Sequence, residues 1–156
     1  MTDHVFGDRS VRKLEGVNSD LVKVAELALN KSTVDFGITE GLRSAERQKI
    51  LRDTGKSQTL NSPHLTGHAV DVVAFYDDKY TYEPFRLFTN IAEAFRLASI
   101  ETGIPIVWGA AWLKTLGSYP SAQAALDDYT STRRSQGRKV FLDGVHFELH
   151  RARYGW

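Results

Sequence analysis

Four segments of the chain carry the apolar spacing or the end signals of α-helices. The predicted helices cover residues 20–30, 45–53, 84–100 and 121–137. Ser19, Ser44 and Ser121 are suitable N-caps for three of them, because a hydroxyl can accept a hydrogen bond from a free N–H group of the first turn. Pro84 suits the first turn of the remaining helix, and Gly103 is its expected end.

Four shorter segments rich in β-branched and aromatic residues are predicted strands. They cover residues 34–39, 69–75, 105–109 and 144–150. The first is interrupted at Gly37. In the last, apolar and polar residues alternate, so that His146, Glu148 and His150 share one face of a half-buried strand.

Two stretches have no periodic pattern. Residues 1–18 are predicted to be an irregular lead-in, and residues 55–68 a loop rich in Gly, Ser, Asn and Thr. Strands and helices alternate irregularly, and neither a repeat nor a linker is apparent. The pattern therefore predicts one α+β domain over residues 1–156 instead of a regular parallel βαβ array.

The composition is that of an ordinary folded protein, with 42% hydrophobic and 25% charged residues. Its 20 basic residues are balanced by 19 acidic ones, so the chain lacks the positive field of a nucleic-acid-binding protein. There are no cysteines, which excludes disulfides and thiolate zinc sites. A metal site would have to combine carboxylates with the five histidines. These are His4, His64, His68, His146 and His150.

The N-terminal residues lack the apolar run of a secretory signal, and no stretch approaches the roughly 20 apolar residues of a membrane span. We therefore expect a soluble protein that is made in the cytoplasm and does not insert into membranes.

The first candidate site lies between Ser62 and Asp71. His64 falls in the predicted loop, while Asp71 interrupts the apolar run of the next strand. A carboxylate in such a strand is costly to bury unless it is paired or bound to a metal. Pro63 and Gly67 allow the loop to turn His64 back over the strand. Taken alone, the pattern more often belongs to a surface histidine and an aspartate that caps a turn.

The second candidate site lies between Asp143 and His150. A strand face with two histidines and a glutamate is unusual for a surface that only meets solvent. Asp143 stands at a glycine turn three residues before His146, where its carboxylate could approach a water on a metal without binding the metal itself. The alternative is an edge strand whose charged side chains point outward, and the residues leave both interpretations open.

Two pairs of histidines have the four-residue spacing of helical zinc sites of the HExxH type. They are His64 with His68 and His146 with His150. One pair lies in a loop and the other in an alternating strand, and Leu65 stands where the glutamate is required. The helical type of zinc site is therefore excluded.

Together the two segments carry a known signature. They are Ser62-x-His64-x-x-Gly67-x-Ala69-x-Asp71 and Asp143-x-x-His146. The first resembles the SxHxxGxAxD motif of the LAS peptidases, the superfamily of D-Ala-D-Ala carboxypeptidases and dipeptidases, and the second resembles the other half of that signature. Aspartate at position 143 resembles the VanY-like L-alanyl-D-glutamate endopeptidase branch, which includes phage endolysins. The resemblance extends over residues 14–17, 20–21, 39–44, 48 and 108–109.

The resemblance implies a fold and a role for five residues. The fold is of the Hedgehog and DD-peptidase type, with a small central antiparallel sheet flanked by helices. His64, Asp71 and His146 would bind one zinc ion, and their two imidazoles and one carboxylate leave a position open, as in catalytic sites. Asp143 would be the general base, and Arg43 would stabilise the charge that develops on the substrate.

The resemblance also implies a substrate. The chain would hydrolyse the L-Ala–D-Glu bond of the peptidoglycan stem peptide during phage-induced lysis. The alternatives are a D-Ala-D-Ala carboxypeptidase or dipeptidase on the same scaffold and a non-catalytic, zinc-containing wall-binding module. We expect a monomer without a separate wall-binding domain, which reaches the wall after release by a holin.

Two features depart from the family pattern. The family sequence WGGDW is here replaced by Trp108-Gly109-Ala110-Ala111-Trp112. Residues 113–142 form a longer segment than the family leads us to expect, and they predict an added helix over or beside the cleft. Both departures bear on substrate preference.

The sequence also predicts where five further side chains lie. Trp108 is expected to line the cleft and Trp112 to pack in the core. His68 is expected at the rim of the cleft. Glu148 and His150 are expected to orient the metal ligands.

Overall fold

The computed structural model describes residues 2–57, 59 and 61–156. Within these residues the chain forms six α-helices and five β-strands. The helices are α1 (Asp8–Lys13), α2 (Ser19–Lys31), α3 (Ala45–Asp53), α4 (Arg86–Thr102), α5 (Ala122–Ser135) and α6 (Arg151–Tyr154). The strands are β1 (Asp35–Glu40), β2 (Ala69–Tyr76), β3 (Lys79–Thr81), β4 (Ile106–Trp108) and β5 (His146–Leu149).

The five strands form one antiparallel sheet in the order β1-β2-β5-β4, with β3 paired to the far end of β2. Strand β2 is therefore central, and β5 lies beside it although 69 or more residues separate them in sequence. This architecture confirms the predicted α+β class with a small antiparallel sheet flanked by helices.

The hydrophobic core lies on one face of the sheet, under α2 and α4. The apolar positions of α2 that face it are buried, and the ring of Phe95 in α4 stacks on Phe147 in β5 at a centroid distance of 3.9 Å. On β2 the core residues alternate with Asp71, Val73 and Phe75, which point to the opposite face. That second face carries polar residues, among them Asp71 of β2 and His146 of β5.

The predicted helices and strands agree with the structure in type, and several ends differ. The N-cap of α2 is Asn18, whose side chain accepts a hydrogen bond from the N–H of Asp20, and not Ser19. Pro84 lies before α4 and not in its first turn. Gly103 ends α4 in the left-handed conformation, as expected. Strand β1 runs through Gly37, and its irregularity lies at Thr39.

The sequence pattern did not predict three short elements, which are α1, β3 and α6. Helix α1 lies within the predicted irregular lead-in and buries no residue of its own, so its pattern carried no signal. It is held at the edge of the sheet, where the Ser10 hydroxyl accepts a hydrogen bond from the N–H of Ile38. Strand β3 follows a two-residue turn at Asp77 and Asp78, both with positive φ, and helix α6 is a single turn. Acidic residues suited to a tight hairpin turn were the available signal for β3.

Strand β5 is shorter and more deeply buried than predicted. All four of its residues are buried, because His146 and Glu148 line a cleft and do not lie on an open face of the sheet. His150 lies beyond its end, at the N-cap of α6.

The predicted loop over residues 55–68 includes Gln58 and Leu60, which lie outside the described residues. Its second half contains a 3-10 turn, Pro63–Thr66. Every helix in the part of the chain that the structure describes is too short or too polar to cross a bilayer.

Candidate active site

His64 is placed by the 3-10 turn that precedes β2. The Ser62 hydroxyl accepts a hydrogen bond from the His64 N–H, and Gly67 ends the turn with a left-handed φ of 74°. The ring is buried, with 2% of its surface exposed. Its Nδ1 lies 2.9 Å from the carbonyl oxygen of Gly41. A carbonyl only accepts, so Nδ1 carries a hydrogen and Nε2 is the nitrogen that faces Asp71.

Asp71 and His146 are brought together by strand pairing. They are direct partners in the antiparallel ladder of β2 and β5, so their side chains project from the same face. Asp71 Oδ1 lies 3.1 Å from His146 Nδ1 and 3.2 Å from His64 Nε2. The odd spacing of His64 and Asp71 along the chain is no obstacle, because the turn carries His64 back over the strand.

Glu148 sets the orientation of His146. Its Oε1 lies 2.8 Å from His146 Nε2, and both side chains are buried. A carboxylate accepts, so Nε2 donates and Nδ1 is the nitrogen that faces Asp71. The expectation that Glu148 orients a candidate ligand is thus matched by a contact. His150 begins α6 and is not among the described residues that line the cleft.

The donor set fits a metal cation. One ligand atom from each of His64, Asp71 and His146 lies within 4.8 Å of the other two. Each histidine has its second nitrogen engaged elsewhere, by Gly41 or Glu148, which is the usual arrangement around metal-binding imidazoles. Two imidazole nitrogens and one carboxylate oxygen leave room for a further ligand. The residues therefore could bind a metal ion with an open position.

The charges in the cluster reinforce one another. Burial by itself favours protonated Asp71, but hydrogen bonds from His146 and His64 outweigh it and hold the pKa of Asp71 below its ordinary value. Burial likewise disfavours a charged His146, yet hydrogen bonds to Asp71 and Glu148 raise its pKa to about 10. A metal cation can take the position of such a shared proton, since it is also a positive charge held between carboxylate and imidazole.

Asp143 stands beside the cluster without belonging to it. The turn before β5 is tied down by the Asp143 N–H, which donates to Gly109 O at 2.7 Å. A Cβ at Gly109 would lie 2.2 Å from the Asp143 carbonyl oxygen, so this approach requires glycine. The Asp143 carboxylate lines the same cleft as the cluster. Burial, together with the charge of Asp71, raises the pKa of Asp143 above its ordinary value.

Arg43 lies on the connection between β1 and α3, as expected, and is not a surface ion pair. Only 9% of its surface is exposed. Glu40 accepts hydrogen bonds from its Nε and Nη2, each at 2.6 Å, and Gln48 accepts one from its Nη1. Its Nη2 lies 3.8 Å from Asp71 Oδ2. The guanidinium is therefore held rigidly at the edge of the cluster.

Glu40 and Gln48 were noted in the sequence only as part of the resemblance, without a role. Gln48 is buried and also donates to Ser57 Oγ at 2.8 Å, which ties α3 to the following loop. The sequence signal for the Glu40–Arg43 pair was the three-residue spacing of two opposite charges. This spacing brings the two side chains together only if the chain turns between β1 and α3.

The expectations for the tryptophans need correction. Trp108 does not line the cleft: it is fully buried, and its Nε1 donates to Gly144 O at 2.8 Å beneath the turn that carries Asp143. Trp112 packs against the core but also lines the cleft, with its ring centroid 5.6 Å from that of His146. A side chain's burial depends on the path of the chain around it, which a WGxxW pattern does not reveal.

The long segment 113–142 contributes little to the cleft. Its helix α5 packs beside α4, with Ala122, Ala125 and Tyr129 buried. Only Phe141, near its end, is among the cleft-lining residues, where it stacks on Trp112. The predicted added helix therefore exists and lies beside the core, not over the cleft.

The cleft itself has a volume of about 440 Å³. Lys56 and Arg151, both exposed, line its outer part. His68 lies nearby, with its ring between those of Tyr154 and Trp156 and its Nδ1 2.8 Å from the Thr66 hydroxyl. His68 is not among the described residues that line the cleft, although its neighbour Trp156 is, so its place at the rim stays a prediction.

Comparisons with known proteins agree on one family. The family model for phage L-alanyl-D-glutamate peptidases matches residues 2–150. The L-alanyl-D-glutamate peptidase of Escherichia phage T5 is 33% identical over 115 residues, which cover 69% of this chain and 80% of the relative. The crystal structure of the Serratia marcescens L-Ala D-Glu endopeptidase ChiX is similar with a TM-score of 0.76 and 37% identity, over 99% of this chain and 96% of that one.

Proposed function

This chain belongs to the phage L-alanyl-D-glutamate peptidase family, and from that premise we propose that it hydrolyses the bond between L-alanine and D-glutamate in the peptidoglycan stem peptide. The observation that carries the proposal is the convergence of His64, Asp71 and His146 on one point, with Asp143 and Arg43 in the same cleft. These five residues come from three separate segments of the chain, which are residue 43, residues 64–71 and residues 143–146.

We propose zinc as the metal and assign three ligand atoms to it. They are His64 Nε2, Asp71 Oδ1 and His146 Nδ1. Nitrogen ligands with one carboxylate and no thiolate suit zinc well. When bound, zinc would polarise the peptide carbonyl and make water a better nucleophile at neutral pH. Glu148 and the Gly41 carbonyl would hold the two imidazoles in the required tautomers.

Asp143 is assigned the role of general base and acid. Its carboxylate would accept a proton from the attacking water and return it to the departing amine of D-glutamate. Burial supports this role, because it raises the pKa of Asp143 and so makes the carboxylate a stronger base than one in water. The absence of Asp143 from the ligand cluster leaves its oxygens free for this transfer.

Arg43 is assigned to the substrate carbonyl. Its guanidinium stays protonated and would stabilise the negative charge that develops on the carbonyl oxygen. The fixed hydrogen bonds to Glu40 and Gln48 support this role, since a preorganised cation need not reorganise during the reaction.

The decisive experiment combines metal analysis with the products of peptidoglycan digestion. We expect the wild type to bind one zinc ion and to expose new amino groups on D-glutamate. Asp143→Ala should keep its zinc and lose cleavage, whereas Arg43→Ala should keep its zinc and lose about 10²–10³ in turnover. Release of D-alanine by the wild type would instead support the carboxypeptidase alternative. Wall binding without cleavage, unchanged in Asp143→Ala, would support a non-catalytic module.

We further propose that residues 1–156 act as one catalytic domain and that the enzyme works as a monomer. It would meet its substrate in the wall after release from the host cytoplasm by a holin.

A further inference from the structure

The sheet face that carries Asp71 and His146 also carries an aromatic groove. Asp71, Val73 and Phe75 alternate with core residues along β2, so the three side chains lie on the same face. At the far end, Tyr80 of β3 is the register partner of Phe75, and their rings are 5.1 Å apart. The candidate active site and this pair of aromatic rings therefore lie on the same face of the sheet.

The groove is open and its aromatic walls face water. It has a volume of about 410 Å³, within the range of small-ligand sites. Tyr80 is 66% exposed, Tyr82 59% and Phe75 37%. Clustered exposed rings of this kind are uncommon on surfaces that bind nothing. Polar groups of Arg9, Asp35 and Thr39 line the same groove.

The distance from the cluster matches the chemistry of the substrate. Successive strand residues rise about 3.3 Å, so along β2 Val73 lies about 7 Å and Phe75 about 13 Å from Asp71. In peptidoglycan the amino group of L-alanine is joined through a lactyl group to a muramic acid ring. One residue and that link span about 7 Å. A substrate with its L-Ala–D-Glu bond at the cluster would thus carry its first sugar at the near end of the groove.

The charges on the two sides of the cluster give the substrate a direction. The exposed cations Lys56 and Arg151 line the cleft, and Arg151 follows β5 at the end of β2 opposite to Phe75. D-glutamate, which is linked through its side chain, carries a free carboxylate, and the residues after it are also charged. The sugars are neutral, because the lactyl carboxyl is consumed in the amide. The charged half of the substrate therefore suits the basic side, and the neutral half suits the aromatic side.

We propose that the groove formed by Phe75, Tyr80 and Tyr82 binds sugar rings of the glycan strand next to the scissile stem peptide. The tyrosine rings stack on the C–H faces of the sugars, while Arg9 and Asp35 hydrogen-bond to their hydroxyl and acetamido groups. This inference rests on the proposed function for its location. The catalytic domain would then recognise the glycan strand directly.

Two substrates that differ only in the sugar test the proposal. One is the stem tetrapeptide attached to the disaccharide of N-acetylglucosamine and N-acetylmuramic acid, and the other is the same tetrapeptide N-acetylated and without sugar. We expect the wild type to show a kcat/KM about tenfold higher on the first, mainly through KM. Tyr80→Ala should abolish this preference and leave kcat/KM on the sugar-free peptide unchanged.

Two further variants control for folding and for loss of a surface ring. Tyr80→Phe keeps the stacking face and should keep the preference. Tyr76→Ala removes an exposed tyrosine from the opposite face of the same strand end, where it contacts Arg86, and should also keep it. The proposal is overturned if the wild type shows no preference, if Tyr80→Ala retains it, or if Tyr80→Ala slows both substrates equally.

A binding measurement separates this inference from the proposed function. A peptide-free glycan tetrasaccharide is titrated into wild type and Tyr80→Ala, with chemical shifts of the aromatic rings as the readout. The groove is supported if the wild type binds the tetrasaccharide and this binding weakens about tenfold or more in Tyr80→Ala. If neither peptide substrate is then cleaved, only the proposed function fails. Absence of binding to the wild type, or equal binding to both proteins, overturns the groove.

Discussion

At the scale of single residues, the two histidines present different nitrogens to the same point. His64 uses Nε2 because the Gly41 carbonyl occupies its Nδ1, and His146 uses Nδ1 because Glu148 occupies its Nε2. These second contacts decide which nitrogen is available. One comes from Gly41, directly after the end of β1, and the other from Glu148, two residues from His146 along β5. Buried polar groups with complete hydrogen bonding hold a unique orientation, which a ligand set requires.

Gly67 shows how closely the backbone is packed behind His64. Its φ is positive, and an added Cβ would lie 2.4 Å from the carbonyl oxygen of Gly16. We expect Gly67→Ala to lower the free energy of unfolding by about 3 kcal/mol, from the left-handed backbone and the clash together. Urea unfolding followed by circular dichroism measures this change.

Gly55 is the matched control, because it has a similar positive φ and no atom of the described residues within 4 Å of an added Cβ. Gly55→Ala should cost only about 1 kcal/mol. Equal losses in the two variants would contradict the claim that close packing behind the turn, and not backbone conformation alone, makes Gly67 necessary.

At the scale of elements, strand register places the cluster and helix packing supports it from behind. The pairing of β2 with β5 makes Asp71 the direct neighbour of His146, and a shift by one residue would turn His146 to the core face. Helix α4 holds β5 in place through the Phe95–Phe147 stack. Helix α5 packs beside α4 and adds Ala122, Ala125 and Tyr129 to the same core.

The contact between α4 and the start of α5 includes an ionised glutamate, Glu93. Burial by itself raises the pKa of Glu93, but hydrogen bonds from Arg96 and from the N–H of Ala122 outweigh it and lower that pKa below its ordinary value. A depressed folded-state pKa contributes stability above the pKa of the unfolded chain, and the contribution is lost as the pH falls through the folded pKa.

We therefore expect Glu93→Gln to destabilise the protein at pH 7 by no more than about 1 kcal/mol, since the carboxylate is partly exposed. The difference from the wild type should shrink as the pH is lowered to about 3, and urea unfolding at the two pH values measures it. Glu101→Gln, at the exposed pair with Lys31, should change stability by less than about 0.5 kcal/mol at both. A Glu93→Gln deficit that persists in acid would show that the charge is not its source.

At the scale of the whole molecule, a metal bound between the turn, β2 and β5 links folding to metal concentration. A ligand that binds only the folded state stabilises it by RT ln(1 + [L]/Kd), about 2.7 kcal/mol at 100 times Kd. For a chain of this length that corresponds to a rise in Tm of about 5–10 °C. We expect this rise when zinc is added to chelated wild type in a thermal unfolding assay.

The variants make this test specific to the proposed site. Asp143→Ala leaves all three ligand atoms in place and should show the same rise in Tm. His64→Ala removes one ligand and should show little or none. A zinc-dependent rise of the same size in His64→Ala would place the stabilising metal elsewhere in the molecule.

The sequence by itself determined the types of the main elements and the candidate chemistry. Apolar spacing and capping residues located α2 through α5 and four of the strands, because these signals are local and act within a few residues. The absence of cysteine restricted a metal site to histidine and carboxylate. The paired motifs named His64, Asp71, Asp143 and His146, and the wider resemblance named Arg43. The structure brings all five to one cleft.

The tertiary structure decided what depends on contacts between distant segments. Helix α1 and strand β3 are too short to be stable alone and form against the sheet, so their local patterns were weak. Three further features follow from which strands lie side by side. They are the burial of Trp108, the nitrogen that each histidine presents, and the aromatic groove on the same sheet face as Asp71. A sequence records which groups are available, and only the packed chain determines which of them meet.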